Sequence, residues 1–80
     1  MRAMNDTRSA QEKVLDLVSY HKPDDEAVAK IGRLRAAVQS LILELLECCP
    51  PGADRSAAIR KARECLMTGN AAIVVPPVSL

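Results

Sequence analysis

Eighty residues and 8.6 kDa make one small domain, and a formal net charge of +1 leaves no basic excess for general DNA or RNA binding. Apolar residues are 49% of the chain, yet there is one Tyr and no Phe or Trp, which disfavours β-sandwiches and barrels and suits Ala/Leu-rich helices. No apolar run reaches the roughly 18 residues of a membrane span, and the first eight residues lack the apolar stretch of a secretory signal, so the expectation is a cytoplasmic protein with no membrane partner.

Proline and glycine divide the chain at Pro23, at Pro50-Pro51-Gly52 and at Pro76-Pro77. In the first segment Ser9 and Glu12 have the Ser-x-x-Glu spacing of a capping box, and Val14, Leu15, Leu17 and Val18 complete a short amphipathic helix over about 9–19. A helix of that length is not stable alone, so it is expected to dock. The second segment opens with Asp24-Asp25-Glu26, acidic groups that offset the positive end of a helix dipole. Val28, Ile31, Val38, Ile42 and Leu45 then recur at helical spacing to about residue 48, roughly 37 Å of helix. Between Leu41 and Leu46 the pattern turns apolar all round, more than a two-helix hairpin can cover, and this points to a second copy.

The third helix is expected over about 55–73, with Asp54 or Ser56 as its cap. Ala58, Ala62, Cys65, Gly69 and Ala72 form a ridge of small side chains along it, flanked by Ile59, Leu66 and Ile73. The short connection makes the two long helices antiparallel, placing Gly32 opposite Gly69 and Ala36 opposite Cys65 as sites of close approach. Residues 74–80 are an extended tail, because Pro76 and Pro77 stop the helix. The fold class is therefore all-α: one domain over 1–80, a short helix followed by a long antiparallel hairpin, assembling as a homo-oligomer.

Catalysis has few places to reside. His21 is the only histidine, and Cys48, Cys49 and Cys65 are odd in number with no framework spacing, so they read as free thiols in a reducing compartment. No cofactor, no metal site and no enzyme activity are expected. The remaining chemistry is binding. Lys22, Lys30, Arg33 and Arg35 gather at the open end of the hairpin, and Tyr20-His21-Lys22-Pro23 leads into the long helix. A tyrosine ring can stack on a base while Lys and Arg hold phosphates. The same residues also read as a helix lead-in with solvated charge.

Two stretches carry a resemblance. Tyr20-His21-Lys22-Pro23 resembles the Tyr-His-Lys-Pro signature of phage cyclic-oligonucleotide sponges, and Leu66-Met67-Thr68-Gly69-Asn70-Ala71-Ala72-Ile73 is similar to the Met-Trp-Ala-Asn-Ala-Ala-Ile ending of the same anti-CBASS and anti-Thoeris family. The resemblance spans roughly residues 17–75 and implies an all-α homo-oligomer, typically a hexamer, in the cytoplasm of the infected host. Such a protein sequesters cyclic nucleotide messengers without cleaving them, with cyclic dinucleotides first and trinucleotides second. It implies that Tyr20 stacks on a base, that Arg35 or neighbouring Arg33 holds phosphate, and that His21 and Lys22 complete the signature. Asn70 matches as well, either toward ligand or as a buried amide satisfied by backbone in the hairpin or its neighbour. The family's tryptophan is Thr68 here, and the arginine of its trinucleotide pocket is Val75. The alternative is a structural helical-hairpin oligomer serving as a protein-interaction module or small regulator.

Overall fold

A computed structural model describes residues 7–78 and 80, and among them it contains three α-helices and no strand. They are α1 (Ala10–Val18), α2 (Asp25–Cys48) and α3 (Ala53–Val74). The leader-free start read for residues 1–6, and Ser79 in the tail, lie outside the described residues.

Local chemistry accounts for most of the helix ends. The capping box of α1 is formed: Ser9 Oγ accepts from the Glu12 amide at 3.2 Å while Glu12 Oε1 accepts from the Ser9 amide at 3.5 Å. Asp24 caps α2, its Oδ1 accepting from the Ala27 amide at 2.8 Å. At the other end of α2, Arg55 Nη1 donates to the Cys49 carbonyl at 3.3 Å, placing a cation at the negative end of the dipole. The cap of α3 differs from both expected candidates. Gly52 holds that position with no side-chain bond, and Asp54 and Ser56 lie inside the helix. The Pro50-Pro51-Gly52 turn delivers the chain into helix so abruptly that Asp54 falls in the first turn.

α2 and α3 pack against each other as the hairpin. The less exposed positions of α2 run through Ala27, Ile31, Val38, Ile42 and Leu45, in steps of one or two helical turns. Opposite them, α3 offers Ala58, Ile59, Ala62, Leu66 and Ile73. Small side chains on one helix receive large ones from the other. Leu34 Cδ1 lies 3.2 Å from the place a Cβ on Gly69 would occupy, so Gly69 opens room for that leucine. The expected pairing of small with small does not occur. A Cβ on Gly32 would meet nothing within 4 Å, and Ala36 and Cys65 are both exposed. Large-into-small packing fills the space between two helices, which small-on-small contact at those positions would leave to two bare backbones.

The docking expected of α1 is also corrected. Among the described residues α1 makes no helix–helix packing with the hairpin. An open groove of about 440 Å³ is lined by Leu17 and by Thr68, Ala71 and Val75 of α3 and its end. Polar bonds hold α1 instead. Arg8 pairs with Asp16, and Arg8 Nη2 donates to the Pro77 carbonyl at 3.2 Å.

The result is long and thinly cored. The radius of gyration is 16.4 Å, against about 12 Å for a compact chain of this length. Among the described residues only Ala62, at 6% exposure, is buried. Among the described residues no helix is long and apolar enough to cross a membrane.

Candidate functional site

The lead-in to α2 is held at both ends. Ser19 ends α1 in extended conformation, and Pro23 confines Lys22 to extended backbone just before the Asp24 cap. Between these points His21 Nε2 lies 2.6 Å from the Asp16 carbonyl. A carbonyl only accepts, so Nε2 carries the proton and the ring is anchored to the α1 backbone. With its neighbour fixed in this way, Tyr20 is turned out to solvent at 85% exposure. The ring contributes little to the fold and is free to cover a flat ligand.

Two adjoining grooves lie along the open end of the hairpin. One, of about 250 Å³, is lined by Lys22, Pro23, Glu26, Lys30 and Val74 among others. The second, of about 420 Å³, is lined by Lys30, Arg33, Leu34, Ala37 and Ile73. Lys30 and Ile73 belong to both. In the first, Lys30 Nζ pairs with Glu26 at 3.0 Å one turn back, and the Asp24 carboxylate is occupied as a cap. Lys22 and Arg33 have no acidic partner among the described residues. Lys22 and Lys30 share the first groove with the Asp24 and Glu26 carboxylates, so the excess positive charge lies at Arg33 in the second, over an apolar floor of Leu34, Ala37 and Ile73. Cations beside apolar surface suit a ligand with flat bases and phosphates.

The sequence-derived residues separate into groups. Lys22 lines the first groove and Arg33 the second, while Tyr20 and His21 precede Lys22 in the chain and line neither. Arg35 is exposed and lies about 200° round α2 from Arg33, on the opposite face. Asn70 is half-buried on α3, and its Oδ1 is buried with no hydrogen-bond partner among the described residues. Lys30 is a groove residue to which the sequence pattern assigns no separate role. Its spacing of three residues before Arg33 puts both on one helix face, and that spacing was the available signal. Arg8 and Asp16 carried no sequence signal, because their bonds close over 8 and 69 residues of chain. Among the described residues no cluster of His, Cys, Asp and Glu could hold a metal ion.

A helical hairpin with an exposed ring and a cation-lined groove at its open end defines a small-ligand binding module. The chain matches the family model described as Acb2/Tad1, hairpin domain, over residues 3–74, and it belongs to that family, the anti-CBASS and anti-Thoeris sponges. The family's role is phage anti-defence through cyclic nucleotide binding. No curated protein and no solved structure matches the chain.

Proposed function

We propose that this protein is a non-catalytic sponge that sequesters cyclic dinucleotide messengers of bacterial immunity, in the cytoplasm of an infected cell. One observation carries the reading. The only tyrosine of the chain is 85% exposed, two residues before Lys22, which has no acidic partner among the described residues and lines a groove that continues to Lys30 and Arg33. Stacking takes the base, cations take the phosphates, and no bond needs to be broken. A sponge acts by mass action, so its Kd must lie well below the concentration that triggers the effector. Arg35, on the opposite face of α2, serves this reading only through a ligand shared with another copy.

Sharing of that kind fits the exposed apolar surface. Leu41, Leu43 and Leu46 are each about half exposed on α2, toward the turn. A surface of this kind is covered by self-association, and a closed homo-oligomer supplies the second wall that each open groove lacks. The family resemblance suggests six copies, a mass of about 52 kDa against 8.6 kDa for one.

Isothermal titration with a panel of cyclic di- and trinucleotides is the test. Tight binding of at least one cyclic dinucleotide supports the proposal, and micromolar or weaker binding of every member overturns it. With Val75 where the family has an arginine, cyclic trinucleotides should bind more weakly. The same leucines favour a second reading, an oligomer whose partner is another protein. Mass-spectrometric detection of nucleotide co-purifying with the chain would count against that alternative.

A further inference from the structure

The residue that ties α1 to the rest of the molecule also governs the lead-in loop. The Arg8 guanidinium bonds the Asp16 carboxylate through Nη1, and its Nη2 reaches the Pro77 carbonyl in the tail. The same Asp16, through its backbone carbonyl, accepts the His21 Nε2–H at 2.6 Å. Asp16 is thus gripped from the side chain by Arg8 and from the main chain by the residue that follows Tyr20. No helix–helix packing of α1 with the hairpin competes with this arrangement. A nine-residue helix is marginal in water, and with only Leu17 facing α3 across an open groove the direction of its C-terminal end leans on its polar ties. One planar group holding two acceptors in a fixed fork suits that task, and lysine could not reproduce it.

We infer that Arg8 and Asp16 are positioning residues for the ligand site: their pair sets the orientation of α1, and through His21 the direction in which Tyr20 is presented. The inference rests on the reading of Tyr20 as the stacking ring. Both side chains are about a third exposed and lie outside the hairpin interface, so removing either leaves the α2–α3 packing intact.

The chain has one tyrosine and no tryptophan, so its intrinsic fluorescence anisotropy reports the motion of Tyr20 alone. In the full chain without ligand, Arg8→Ala and Asp16→Ala should each lower that anisotropy, and the double variant should lower it no further. Far-ultraviolet circular dichroism should show the hairpin helices retained. With the cyclic dinucleotide that the unmodified chain holds tightest, each single variant should bind roughly three- to tenfold more weakly, again without additivity. The two roles of Arg8 differ in sign at Asp16. If Arg8 instead contacted phosphate itself, Asp16→Ala would remove a competing carboxylate and binding would hold or tighten, and that result overturns the inference. Unchanged anisotropy in both single variants overturns it too. Should the unmodified chain bind no cyclic dinucleotide, the sponge reading fails by itself, and the anisotropy arm still decides whether Arg8 and Asp16 orient the ring.

Discussion

Replacing Tyr20 by alanine separates binding from folding more cleanly than any other change in this chain. At 85% exposure the ring gives the monomer almost no buried area, so its removal should alter stability by no more than about 0.5 kcal/mol, as at other exposed positions. For a domain of this size that is a melting shift of at most about 4 °C. Base–aromatic stacking is worth about 1–3 kcal/mol, so affinity should fall roughly five- to 150-fold. Tyr20→Phe keeps the π-face and should bind within about threefold of the unmodified chain, because stacking needs no hydroxyl. The assay is calorimetric titration of the three proteins beside thermal melts of each. An alanine variant that bound as tightly as the parent would refute the assignment of the ring. A phenylalanine variant as weak as alanine would show that the hydroxyl, not the face, makes the contact.

The hairpin offers two glycines with different surroundings. Gly32→Ala should stabilise by about 0.5–1 kcal/mol, since a helix-interior glycine costs that much and its Cβ would meet nothing. Gly69→Ala should gain less, because Leu34 Cδ1 must move from 3.2 Å; denaturant midpoints that reverse this order would contradict the packing described. Asp24→Ala removes the cap of α2 and should cost about 1 kcal/mol, lowering the melting temperature by about 4–8 °C. Leu43→Glu places a charge on a leucine 57% exposed in one chain; light scattering should show smaller species with helicity kept, and an unchanged mass would remove that surface from the assembly.

What could be read in the residues was what depends on near neighbours. The Ser9–Glu12 box and the antiparallel hairpin follow from spacings of three or four residues, and they are present. The small-residue ridge on α3 was legible as composition, but its partner was not. Periodicity says which side of a helix faces in, not which residue opposite fills each gap, and Leu34 at Gly69 is such a detail. Capping of α3 was misplaced because Asp54 and Ser56 are both good caps and nothing local chooses between them and the glycine turn. At the site, Tyr20 with its neighbours formed a recognisable stretch of adjacent residues. The groove that Lys22 lines is made by α2 meeting the end of α3, so the shared place of Lys30 and Ile73 in it is a non-local fact. The Arg8 tie spans almost the whole chain, beyond any motif.

The layout of α2 has an evolutionary consequence. Its 24 residues hold the groove cations in the first half and the bare leucines in the second, with Arg33 and Leu41 about 12 Å apart along a stiff rod. Substitutions in one half scarcely perturb the other, so a lineage under pressure from a host that changes its alarm molecule could retune the mouth of the groove while leaving self-recognition untouched.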